Sequence, residues 1–197
     1  MSAPRFAELR RTTRETDVRV RLQLDGAGNH NIQTGVPFLD HMLTHVAVHA
    51  LLDLDLTCHG DTEIDDHHSV EDVGIVLGEA FKEALGDRAG IARYGSQLMP
   101  MDEVLALVAL DFSGRSLLVY DASIPTERVG RFDTELVPEF LRALAQHAGL
   151  TLHVKLLHGQ NGHHIIEAIF KGLGRALGQA VAIDPRRPGV PSTKGVL

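Results

Sequence analysis

The chain has 197 residues, 44% hydrophobic and 23% charged, with a formal net charge of -7. That is enough apolar material for one core or a two-fold duplicated unit, and its acidic balance argues against nucleic acid as a partner. No apolar run reaches membrane length, the basic start from Met1 to Arg14 has no apolar middle, and Cys58 stands alone, so the expectation is a cytoplasmic protein that meets no membrane and forms no intrachain disulfide.

In chain order, Thr16 to Leu24 alternates apolar and charged residues and predicts a half-buried strand. The run Arg10 to Thr16 before it reads as a solvated charge cluster. After a turn at Asp25 to Asn29, Val36-Pro37 leads into a helix from about 38 to 51, and Leu52 to His59 alternates again as a strand. A long helix then runs to about Leu85 and is closed by Gly86. The second half repeats this order: strands over 103–112 and 116–122, a helix over 132–146, a strand over 150–157, and a helix from the second histidine pair to about Ala182. A Pro/Gly-rich tail, 184–197, follows.

The halves also match in sequence. His41 to His49 aligns with Glu139 to His147, and Gly78 and Gly174 follow the two histidine pairs at one offset. A period of about 96 residues is too long for a solenoid and reads as duplication. The expected fold is α+β: two strand-and-helix (βαβ-type) halves, about 8–95 and 96–185, with mostly antiparallel sheets and helices packed on one side. All of 1–197 then forms a single domain ending in a tail suited to binding phosphate.

The chemistry concentrates in two copies of one motif, His67-His68-Ser69-Val70-Glu71 and His163-His164-Ile165-Ile166-Glu167. On a helix, positions i and i+4 share a face, so His67 with Glu71, and His163 with Glu167, can each close on a cation. His68 and His164 point about 100° away and are free for a different ion. Under the duplication His41 corresponds to Glu139. Two pseudo-equivalent sets follow, one of His41, His68, His163 and Glu167, the other of His67, Glu71, Glu139 and His164. Imidazole and carboxylate without cysteine suit Mn, Fe, Co or Ni with open positions for substrate, and the two-carboxylate set favours manganese, with zinc still open. Outside these sets, Arg93 and Arg115 sit beside turns, Lys171 lies one helical turn past Glu167, and Ser192-Thr193-Lys194-Gly195 offers hydroxyls and an ammonium to an oxyanion.

The stretches 11–16 (Arg-x-Thr-x-Glu-Thr), 35–43 (Gly-Val-Pro-Phe-Leu-Asp-His-Met-Leu), 65–72 (Asp-Asp-His-His-x-x-Glu-Asp), 113–115 (Ser-Gly-Arg), 163–168 (His-His-Ile-Ile-Glu-Ala) and 191–196 (Pro-Ser-x-Lys-Gly-Val) resemble the imidazoleglycerol-phosphate dehydratase family. The resemblance runs from about residue 8 to the C-terminus. It implies dehydration of imidazole glycerol phosphate to imidazole acetol phosphate in histidine biosynthesis, two Mn²⁺ per active site, and a homo-oligomer of 24 subunits built from trimers. The family's ligand pattern falls on His41, His67, His68, Glu71, His163, His164 and Glu167. Some members carry histidine where this chain has Glu139, which makes Glu139 a departure, although a carboxylate remains a competent ligand for a hard cation. The resemblance also implies substrate contacts by Glu15, His49, Arg93, Arg115, Lys171, Ser192 and Lys194, with Glu15 and His49 at the catalytic centre.

The expected chemistry starts from an imidazole made easier to deprotonate by two metals, whose imidazolate charge helps to expel the hydroxyl. Glu15, outside both ligand sets, is the candidate acid/base. The alternative is a dinuclear metallohydrolase acting on a phosphorylated small molecule, whose metals would share a bridging carboxylate or water.

Overall fold

The computed structural model describes residues 5–197. Met1 to Pro4, part of the basic start read above, lie outside the described residues. The first half runs β1 (Phe6–Thr12), β2 (Thr16–Gln23), β3 (His30–Gln33), α1 (Pro37–Ala50), β4 (Asp53–Gly60) and α2 (His67–Leu85). The second runs β5 (Tyr94–Met101), β6 (Val104–Asp111), β7 (Leu117–Asp121), β8 (Arg128–Val129), β9 (Phe132–Asp133), α3 (Leu136–Ala148), β10 (Thr151–His158) and α4 (Gly162–Val181).

Each half builds one four-stranded sheet, in the orders β1-β2-β4-β3 and β5-β6-β10-β7. The two sheets correspond strand for strand. In both sheets the last edge strand pairs parallel and the other pairings are antiparallel. The central strands follow their period-two pattern: Val18, Val20 and Leu22 are fully buried and lie opposite Cys58, Leu56 and Leu54. Leu110, Val108 and Ala106 face Leu152, Val154 and Leu156 in the same way. Burying each such Val or Leu stabilises the fold by about 1.5–3 kcal/mol.

One face of each sheet is covered by helices, α2 on β1 and β2, and α4 on β5 and β6. The halves meet through these helices, α2 against α3 and α1 against α4. Glycines set the distance. A Cβ on Gly74 or Gly78 would come within 2.9 Å of the Phe140 or Leu144 carbonyl oxygen, and one on Gly174 or Gly178 would meet Val46 or Ala50 at the same distance. The two sheets thus sandwich a double layer of helices in close backbone contact.

The structure departs from the sequence expectations in three edge strands and in the start of one helix. Strands β1, β3 and β5 were not expected. All are edge strands, exposed along much of their length, so they lack a full alternating apolar pattern, and β5 contains Pro100. The run at Arg10 to Thr16 is largely exposed, as a solvated cluster should be, and it folds as the β1–β2 hairpin, with Arg10 paired across the strands to Asp17 and Arg11 to Asp72 of α2. The helix expected from 132 begins at Leu136, because Phe132–Asp133 pairs with Arg128–Val129 and Thr134 closes that hairpin by donating to the Thr126 carbonyl at 2.7 Å.

Candidate functional site

Helices α1 and α4 bring the first donor group together. Asn161 caps α4 by accepting from the His164 amide at 3.2 Å, which fixes His163 and His164 in the first turn. His163 Nε2 lies 3.1 Å from Glu167 Oε2, and His41 Nε2, from α1, lies 3.6 Å from the same oxygen. His45, one turn along α1, places Nε2 3.3 Å from His41 Nε2 and 3.6 Å from Glu167 Oε1. Among the described residues, His41, His45 and Glu167 form the one trio of such groups with ligand atoms all within 4.8 Å. Burial alone would raise the Glu167 pKa, but Lys171, His45 and His163 outweigh it and hold the carboxyl at about 2. Burial pushes His45 down to about 4, so its imidazole is neutral at pH 7. His49 stacks on His45 with ring centroids 5.9 Å apart.

The middle histidines stand apart from this cluster and share one arrangement. His68 Nδ1 donates to Asp61 Oδ2 at 3.0 Å, leaving Nε2 directed to Glu15, whose Oε2 is 3.9 Å away. His164 Nδ1 donates to Glu103 Oε2 at 2.8 Å, leaving Nε2 3.6 Å from Asp102. The hydrogen bond to Asp61 raises the His68 pKa and that to Glu103 raises His164, while the His164 bond and the Asn161 amide lower Glu103 to about 2. A carboxylate that fixes one ring nitrogen and frees the other is how proteins orient metal-binding imidazoles. His67 and Glu71 lie one turn apart on α2, and Glu139, on α3, is paired with Arg142. Neither four-residue set assembles within one chain, as the single trio requires.

A cleft of about 1010 Å³ gathers Arg93, Ser113, Arg115, Ser192 and Lys194. Arg115 and Lys194 are exposed there, and the Lys194 amide donates to Ser192 Oγ at 3.1 Å. Arg93 is buried and its fork is occupied: Nε and one Nη donate to Asp111 at 2.6 and 3.0 Å, and the other Nη to the Pro191 carbonyl at 2.9 Å. It ties the tail to the sheet. Lys171 lies away from this cleft, its ammonium on Glu167 and 3.6 Å from Met101 Sδ. A second cleft, of about 600 Å³, opens beside His41 and His163 and is walled by Phe38, Phe132 and the β8–β9 hairpin.

Sequence reasoning missed His45, Asp61 and Glu103. His41, His45 and His49 recur at i, i+4 and i+8, a one-face pattern that could have identified His45. Asp61 and Glu103 come from a loop and a hairpin, and no spacing rule joins them to their histidines. Ionised Glu167, neutral His45 and carboxylate-held imidazoles are the protonation states and supports that a divalent cation needs, so the donor set fits a metal.

A family model described as imidazoleglycerol-phosphate dehydratase matches residues 34–177. Curated relatives carry the same description: one from Desulforudis audaxviator is 60% identical over 193 residues, covering 98% of each chain, and one from Microcystis aeruginosa is 58% identical over 198 residues, covering 100% of this chain and 95% of its own. Among solved structures, imidazoleglycerol-phosphate dehydratase from Staphylococcus aureus superposes with a TM-score of 0.83 at 44% identity, covering 91% of this chain and 99% of its own. IGPD from Pyrococcus furiosus, in complex with (S)-C348, gives 0.84 at 41% identity, covering 96% and 100%.

Proposed function

This chain belongs to the imidazoleglycerol-phosphate dehydratase family, hydro-lyases of histidine biosynthesis, and we propose that it dehydrates imidazole glycerol phosphate at two Mn²⁺ ions held in ligand sets completed between subunits. The observation that carries this reading is the pair of middle histidines. Each is oriented at Nδ1 by a carboxylate, keeps Nε2 off that bond, and joins no cluster of metal donors among the described residues of its own chain. His41, His163 and Glu167 would take His68 from a neighbouring subunit, and His67, Glu71 and Glu139, on the packed pair α2 and α3, would take His164 likewise. When bound, the metals would supply Lewis acidity that eases loss of the substrate's ring proton.

The remaining work falls to side chains. Arg115, Ser192 and Lys194 hold the phosphate in their cleft, and Arg93 holds the tail that carries two of them. That binding energy orients the reacting carbons. Glu15 moves the proton between the substrate carbon and the departing hydroxyl, which leaves as water. His49 and Lys171 line the α1–α4 side. The assembly is a homo-oligomer, in this reading 24 subunits built from trimers, and the chain is one domain of two repeats, about 8–95 and 96–185.

The test is turnover by metal-stripped protein reloaded with Mn²⁺, Fe²⁺ or Co²⁺. The expected product is the ketone with its phosphate retained. Release of inorganic phosphate would favour a metallohydrolase, and no turnover with any of the three would overturn the reading. Sedimentation tests the shared ligands: chelation should shrink the particle and Mn²⁺ restore it. An unchanged large particle without metal, together with normal assembly of His68→Ala, would refute inter-subunit ligation.

A further inference from the structure

Two of the sequence motifs contain residues to which the reaction gives no work: Arg11, Thr13 and Thr16 in the first, Asp72 in the third. In the structure they form one network. Asp72 is an acid only 7% exposed on the face of α2 that packs on the first sheet. It accepts a hydrogen bond from Thr16 Oγ1, and Arg11 Nη1 lies 2.6 Å from its Oδ2. Thr16 opens β2 and Arg11 belongs to β1, so both partners come from the hairpin whose turn carries Glu15. Within that turn Thr13 Oγ1 accepts from the amides of Glu15 and Thr16 at 3.1 and 3.0 Å. The Glu15 carbonyl accepts from the Asp61 amide at 3.1 Å.

The circuit closes on the site. Asp61, which holds the Glu15 backbone, also holds His68 Nδ1. His68 lies four residues before Asp72 on the same helix, so one face of α2 presents the imidazole to Glu15 and the carboxylate to Thr16. There is no slack between the elements: a Cβ on Gly60, at the end of β4, would overlap Ser69 Oγ at 2.1 Å and touch Thr16 Cγ2 at 3.4 Å.

A buried carboxylate is a costly way to hold a helix on a sheet. An apolar side chain of similar volume would do it with equal or greater stability. What the carboxylate adds is direction, since it takes a hydroxyl and a guanidinium from set positions on the hairpin. We propose that Asp72 is a positioning residue: through Thr16 and Arg11 it fixes the β1–β2 hairpin on α2, so that Glu15 keeps its place opposite His68. The proposal rests on the reading of Glu15 as the acid/base.

The test is a double-mutant cycle on the Mn²⁺-loaded, assembled protein. Thr16→Val and Asp72→Asn should each lower kcat by roughly 10–100-fold, the effect of a misplaced reacting group, with KM and metal content little changed. Thr16→Ser, which keeps the hydroxyl, should restore kcat to within about threefold. In a Glu15→Gln background, Thr16→Val should cost less than about threefold more, because the group it positions is already gone. If Thr16→Val lowers thermal stability but not kcat, or lowers kcat by the same factor with and without Glu15, the network is only structural and the proposal falls. Thr16→Val and Thr16→Ser decide the matter even if Asp72→Asn fails to fold. Normal turnover by Glu15→Gln would overturn the acid–base reading and this proposal with it, whereas an impaired Glu15→Gln beside an unimpaired Thr16→Val overturns this proposal alone.

Discussion

Gly174→Ala tests whether the contact between α1 and α4 sets the donor geometry. The added Cβ would sit 2.9 Å from the Val46 carbonyl oxygen and 3.1 Å from both Val46 Cα and His49 Cβ. Two of these neighbours are backbone and cannot rotate away. To reach ordinary contact α1 must retreat by roughly 0.5 Å. Overpacking of this kind costs about 1–3 kcal/mol, and the better helix propensity of alanine returns about 1 kcal/mol. The net loss is then about 1 kcal/mol, or a Tm lowered by roughly 2–4 °C in a chain of this size. His41 moves with α1, so its separation from Glu167, 3.6 Å here, opens further. Mn²⁺ affinity should fall roughly tenfold, the low end for disturbed ligand supports. A thermal melt of the metal-free protein and a calorimetric Mn²⁺ titration measure both effects. A variant that gains stability and binds Mn²⁺ as before would show that glycine is not what holds these helices in register.

Asp61→Ala removes the acceptor for His68 Nδ1 but keeps the backbone amide that holds Glu15, and should weaken metal binding by roughly 10–100-fold. Titration of the variant measures this, and unchanged affinity would contradict the orienting role. Arg115→Ala should raise KM for the phosphorylated substrate by roughly tenfold or more with a smaller loss in kcat, since a charge-assisted contact contributes about 1.5–3 kcal/mol. Arg93→Lys keeps the charge but breaks the fork on Asp111 and Pro191, and should speed proteolytic cutting within 184–197, read by mass spectrometry. Burial pushes the Cys58 thiol up to about 11, so at pH 8 a disulfide reagent should label it slowly in the folded protein and fast in denaturant. The stability that comes from keeping this thiol protonated is fully present below the ordinary thiol value of 9.0 and is lost as pH rises through about 11.

How much of this was legible beforehand depends on where each residue lies. β2, β4, β6 and β10 announce themselves because they are central and alternate, with Val18, Val20 and Leu22 buried and their neighbours not. The edge strands carry no such signal: in His30-Asn31-Ile32-Gln33, which pairs with β4 on one side, only Ile32 packs against the core. The histidine pairs were readable because chelation imposes a spacing on a helix. Their orienting carboxylates were not, since Asp61 and Glu103 reach them across loops. Arg115, Ser192 and Lys194 come from distant stretches and lie around one cleft, where Arg93 is engaged with Asp111 and the tail, an arrangement that no local spacing announces.

The two halves correspond strand for strand and helix for helix, with one exception. Between β7 and α3 the chain inserts the β8–β9 hairpin, while the equivalent link between β3 and α1 is only residues 34–36. The insertion leans over His163 and, with Phe38 and Phe132, walls the cleft beside His41. Motifs alike in sequence therefore sit in unlike surroundings, since the hairpin that walls the cleft beside His163 is inserted in one half alone. Symmetry repeats the motif, and a single short insertion gives its two copies different surroundings.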